Sequence, residues 1–108
     1  MLLQIGLGDA AVPNAGSYLH ARALRVKQTM PAPANVFGLE PATDPGESAL
    51  TMFDFGIDTK GSADPSPLAQ NEVHEGLRIK AAALRQMDEF LRPGGTIIHP
   101  CDGPCDPE

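Results

Sequence analysis

The stretch ALTMFDFGI, residues 49–57, sets the tightest constraint on how this chain can fold. In an extended backbone successive side chains alternate sides, so Leu50, Met52 and Asp54 point one way while Thr51, Phe53 and Phe55 point the other. Both faces are mainly apolar. Such a strand needs cover on each side, which is the setting of a central strand in a parallel sheet flanked by helices.

The rest of the chain supplies the other parts of that architecture. LLQIGL, residues 2–7, is a short apolar run bounded by Gly8 and Asp9 and reads as a buried strand. Asn14 is placed to cap a helix over 15–26, whose stripe is Leu19, Ala23 and Val26, with Arg22, Arg25 and Lys27 toward solvent. Strand, helix and strand 49–57 would form a right-handed βαβ unit. Between them, residues 29–48 hold Pro31, Pro33, Pro41 and Pro45, so this segment reads as a surface excursion in which only VFGL, 36–39, has strand character. A loop rich in Gly, Ser, Asp and Pro, 58–70, leads to a helix over 71–92. Asn71 is its expected N-cap, Glu72 and Glu75 lie near its positive end, and Arg92-Pro93-Gly94-Gly95 stops it. Val73, Leu77, Leu84, Met87 and Leu91 form its expected buried stripe, with Arg78, Lys80, Arg85, Asp88 and Glu89 facing water. In the tail, 93–108, TIIH at 96–99 is a candidate last strand or edge.

With 108 residues the chain is one small domain, and only 5% of it is aromatic, so its core must be built from Leu, Ile, Val, Ala and Met. The formal charge is -6 and the eight Lys and Arg are scattered, whereas phosphate neutralisation needs a concentrated basic face. Nucleic acid is therefore an unexpected partner, as is an anionic membrane surface. No segment approaches the run of about 20 apolar residues that a spanning helix requires, and MLLQIGLG is too short for a signal sequence. Localisation stays open.

Two short stretches carry chemistry. GLGDAAVPN at 6–14 places Asp9 just after a strand, and NEVHEGL at 71–77 places His74 at the opening of a helix. If the strands are parallel neighbours, both residues leave carboxyl ends and meet on one rim. A carboxylate there can hold an imidazole in one tautomer, and the imidazole can take a proton from a nucleophile. Read singly, Asp9 is as readily a turn residue and His74 an exposed first-turn side chain. Their order and setting together favour the paired role.

These stretches resemble the last portion of α/β-hydrolase superfamily proteins, more narrowly bacterial esterase and lipase-like members. The resemblance covers most of this chain but only the final third or so of such an enzyme. It implies that Asp9 is the acid and His74 the base of a triad acting on a small ester or lactone. It also implies an α/β fold class: a partial hydrolase-like unit of two or three mainly parallel strands and two packing helices, starting internally at Met1. No cofactor is implied.

The pattern departs from that family at the nucleophile. No G-x-S-x-G occurs, and the contexts of Ser17, Ser48, Ser62 and Ser66 are AGSYL, GESAL, KGSAD and DPSPL, none of which makes the strained strand-to-helix elbow. His74 does not open an H-E-x-x-H metal motif, because Arg78 stands at the last position, and GLGDAA lacks the third glycine of a dinucleotide loop. In HPCDGPC, Cys101 and Cys105 suit a local disulfide across a tight loop. A reactive thiol beside His99 is the lesser alternative, as is a metal site on His99, Cys101 and Cys105, which lacks a fourth ligand.

A sheet of so few strands leaves a bare edge and uncovered apolar surface. Self-association as a homodimer or higher homo-oligomer is the expected remedy. Two functional classes thus stand side by side: a hydrolase piece that retains ester cleavage, and a non-catalytic module whose property is self-association or partner binding.

Overall fold

The computed structural model describes residues 1–58 and 69–106. In chain order the elements are β1 (Leu2–Gly6), α1 (Asn14–Ala23), β2 (Lys27–Gln28), β3 (Ala49–Phe53), α2 (Val73–Ile79) and α3 (Ala81–Leu91). The three strands form one open parallel sheet in the order β1-β3-β2. Register runs from Leu2 opposite Ala49 to Gly6 opposite Phe53, and β2 sets Lys27 opposite Ala49.

The strand with two apolar faces is the middle one, and all five of its residues are buried. Leu50 and Met52 join Ile5, Ala21, Val26 and Val36 in one core cluster on the α1 side. Phe53 joins Ala82, Ala83 and Cys105 in a second cluster on the α3 side. A completely buried Phe side chain stabilises by roughly 1.5–3 kcal/mol, so β3 anchors both layers.

Several boundaries differ from the sequence expectation, each for a physical reason. The first helix ends at Ala23, not 26, because Arg25 turns the chain at φ 54 and sends Val26 separately into the core. It packs through the small Ala21, fully buried, while Leu19 is 61% exposed. Asn14 is the first helical residue and Pro13 holds the capping position. β2 was not expected, and the proline-rich excursion that follows it contains no strand at 36–39. Val36 instead plugs the core, its N–H donating to Oε1 of buried Gln28, whose Nε2 donates to the Ala34 carbonyl.

The expected helix over 71–92 is two helices. Lys80 adopts an extended ψ of 123, which breaks the ladder, and its ammonium lies 5.1 Å from the Phe55 ring. The break resets the helical phase. Val73 and Leu77 pack inward as expected, but in α3 it is Ala82, Ala83 and Gln86 that are buried, and Leu84, Met87 and Leu91 are exposed. The strand 49–57 ends at Phe53, and the chain 2–7 pairs as strand only through Gly6.

TIIH at 96–99 is not a strand. The tail is tied to the chain on either side of β3, with the Ile97 N–H on the Pro45 carbonyl at 3.1 Å and the Asp54 N–H on the Cys105 carbonyl at 2.7 Å. Cys101 and Cys105 are joined as a disulfide. Among the described residues no helix is long and apolar enough to cross a membrane.

Candidate active site

The site forms at the carboxyl ends of β1 and β3, where the ladder runs on through the Leu7 N–H to the Phe53 carbonyl at 2.8 Å. Gly8, at φ 78, then turns the chain in a conformation that L side chains rarely adopt, and Asp9 follows, 5% exposed. Its Oδ1 accepts the N–H groups of Ala11 at 2.8 Å and Val12 at 2.9 Å. Its Oδ2 lies 2.9 Å from Nδ1 of His74 on the first turn of α2. Sixty-five residues of separation are thus closed by one contact.

Three residues hold that turn against α2. Asn14, 1% exposed, spans it by accepting from the Gly8 N–H and donating to the Gly6 carbonyl, both at 2.8 Å. Asn71 donates to the Gly8 carbonyl at 2.8 Å and accepts from the Val73 N–H at 3.2 Å, tying the start of α2 to the same loop. Gly6 permits the close approach: a Cβ there would stand 2.3 Å from Cγ1 of Val73, the residue before His74.

Electrostatics follow from these partners. Burial pushes the Asp9 carboxyl up, but the Val12 amide, the His74 ring and the Ala11 amide together outweigh it and hold the group below its ordinary value. Asp9 is therefore an anion at neutral pH. The far ring nitrogen of His74, Nε2, lies 2.9 Å from NH2 of Arg78. A guanidinium only donates, so Nε2 accepts and Nδ1 carries the proton that is donated to Asp9. This is the tautomer in which an oriented imidazole can act as a base.

The pair borders a cavity of about 230 Å³ that is also lined by Asn14, Ser17, Leu77 and Arg78. That is below the usual range of ligand pockets, roughly 300–1,000 Å³, and suits a small group rather than a whole large substrate. Ser17, in α1, is the serine that shares this cavity. Ser48 lies elsewhere, accepting a hydrogen bond from the amino terminus at 2.8 Å, and Ser62 and Ser66 fall outside the described residues.

Sequence reasoning placed Asp9 and His74 at the site but missed Arg78, Asn14, Asn71 and Gly6 as its supports. For Arg78 the signal was present, because a residue four positions after His74 shares its helix face. For Gly6 no signal exists, since nothing in a sequence tells which glycine lies under a helix. His99 is remote from the pair, its Nδ1 lying 2.9 Å from the Cys101 carbonyl and its Nε2 2.7 Å from the Pro31 carbonyl. With Cys101 and Cys105 bonded to each other, neither sulfur is a thiolate here, and among the described residues no three His, Cys, Asp or Glu side chains are grouped to hold a metal ion. The chain matches no family model, no curated protein and no solved structure in the three comparisons made.

Proposed function

We propose that this chain is the acid–base unit of a carboxylic ester hydrolase of the α/β-hydrolase type, with His74 as general base and Asp9 as the carboxylate that orients it. The single observation carrying this reading is the 2.9 Å contact of Asp9 with Nδ1, which leaves Nε2 as the acceptor at the rim of a cavity. Nε2 takes the proton of a hydroxyl as its oxygen attacks the ester carbonyl, and returns it to the departing alkoxide. Asp9 stabilises the imidazolium formed in between. The hydroxyl belongs to water or to Ser17, because the chain contains no elbow serine; in the second case the acyl group left on Ser17 is released when water attacks it, its proton passing through Nε2 back to the serine oxygen.

The test is hydrolysis of p-nitrophenyl acetate by the wild type, His74→Ala, Asp9→Asn and Ser17→Ala. Loss of the base lowers the rate by about a hundredfold if it acts as stated. Equal rates in wild type and His74→Ala remove the reading. An unchanged Ser17→Ala rate assigns the hydroxyl to water, and a rate as low as that of His74→Ala assigns it to Ser17.

One observation favours a second, non-catalytic reading as a self-associating module. Leu84, Met87 and Leu91 lie at helical spacing on the outer face of α3 with exposures of 45%, 39% and 70%, and Ile79 nearby is 78% exposed. An apolar stripe of this kind is covered in most proteins. A second copy of the chain is the proposed cover, and sedimentation showing only monomer at high concentration would remove it.

A further inference from the structure

Arg78 follows His74 by four residues on α2, so the two side chains leave one face of the helix. Its NH1 donates to both carboxylate oxygens of Glu75, at 3.3 and 3.2 Å, and its NH2 donates to Nε2 of His74 at 2.9 Å. Nε2 is the atom that a working base must offer to a hydroxyl. A lone pair engaged by a guanidinium is closed to that hydroxyl, and arginine does not give up its proton at ordinary pH. The ring is thus oriented correctly on one side and covered on the other. Among the described residues lining the cavity, Arg78 is the one Lys or Arg.

We propose that Arg78 is a latch over His74 and that a carboxylate group on the ligand opens it, so that the cavity takes acidic esters in preference to neutral ones. This rests on the reading of His74 as a base. The planar fork of a guanidinium matches a carboxylate through two parallel N–H bonds, which a single neutral ring nitrogen cannot equal. The Arg78 side chain is 63% exposed and can swing away without disturbing the buried side of α2. With the carboxylate seated on Arg78, Nε2 is bare and faces the ester carbonyl of the same molecule. Water then adds through oxygen to the carbonyl carbon as its proton passes to Nε2. The bond to the leaving oxygen breaks, that oxygen takes the proton back, and a carboxylic acid and an alcohol depart. No other reactant enters.

The test reads Nε2 directly and does not require turnover. Diethyl pyrocarbonate acylates an unengaged imidazole nitrogen, and the extent at His74 can be mapped by mass spectrometry with exposed His20 as the internal reference. Arg78→Met raises the His74 rate relative to His20 roughly threefold, the scale set by a partly exposed charged contact. Sodium acetate raises the wild-type rate toward that of the variant, sodium chloride at equal ionic strength does not, and neither changes the variant. Equal His74 rates in wild type and Arg78→Met would overturn the latch, as would acetate no better than chloride. If the rates shift as stated while ester hydrolysis is indifferent to His74→Ala, the latch stands and the base role falls.

Discussion

The rim of the sheet and the outer face of α3 are built on opposite principles. At the rim, the Asp9 carboxylate and the backbone of Gly6 and Gly8 find partners inside the chain: two amides and a ring on the carboxylate, and Asn14 and Asn71 on the two glycines. On α3 the inner face is as complete, with fully buried Gln86 accepting from Gln4 at 2.8 Å and donating to Thr51 at 2.7 Å and to the Ile98 carbonyl at 2.6 Å. The outer face is not, since it presents Leu84, Met87 and Leu91 to solvent. The contrast teaches that the Asp9–His74 contact is held by partners close to it within the chain, whereas the apolar stripe of α3 is exposed.

The comparison can be broken most forcefully at Asn14. Asn14→Ala leaves the Gly8 N–H and the Gly6 carbonyl buried without their partner, an expected loss of about 3 kcal/mol by denaturant unfolding. A loss under about 0.5 kcal/mol would show that the rim is not held as described. Next in size is Gly6→Ala, whose added methyl meets Val73 and pushes α2 outward, costing about 2 kcal/mol. Its sharper readout is the His74 ring resonances, which should move as Asp9 and His74 separate. Reduction of the Cys101–Cys105 disulfide is expected to cost at most about 2 kcal/mol, because the bond closes a short loop.

Acid sharpens the picture of the rim. The folded carboxyl of Asp9 titrates below its unfolded value, so its contribution to stability is fully present above the unfolded pKa and is lost as pH falls through the folded one. Wild type should therefore lose more stability than Asp9→Asn on going from neutral pH to below about 4. Parallel curves would contradict a carboxylate held ionised by the Val12 amide, the His74 ring and the Ala11 amide. The smallest effect belongs to α3: Leu91→Glu is expected to change stability by less than about 0.5 kcal/mol while weakening any self-association seen by sedimentation.

What could be read from the sequence was whatever rests on a strong period or a fixed order. Residues 49–57 announced a central strand because apolar side chains occupy both parities, though the strand stops at Phe53, and Asp9 and His74 announced a shared rim because each follows the carboxyl end of a strand. Two-residue β2 is too short to leave a period. The break at Lys80 was illegible because lysine is a good helix former and no Pro or Gly marks the place. One extended residue there moved the inward face of α3 from Leu84, Met87 and Leu91 to Ala82, Ala83 and Gln86. A buried glutamine with three partners cannot be told from a surface one without its neighbours in space.

The most direct test of the central claim is the protonation pattern of the His74 ring, read at neutral pH from its two nitrogen shifts by NMR. With Asp9 accepting from Nδ1 and Nε2 serving as the acceptor, the account predicts a proton on Nδ1, none on Nε2, and loss of that preference in Asp9→Asn. A ring protonated on Nε2, or one whose tautomer is indifferent to Asp9→Asn, would contradict it.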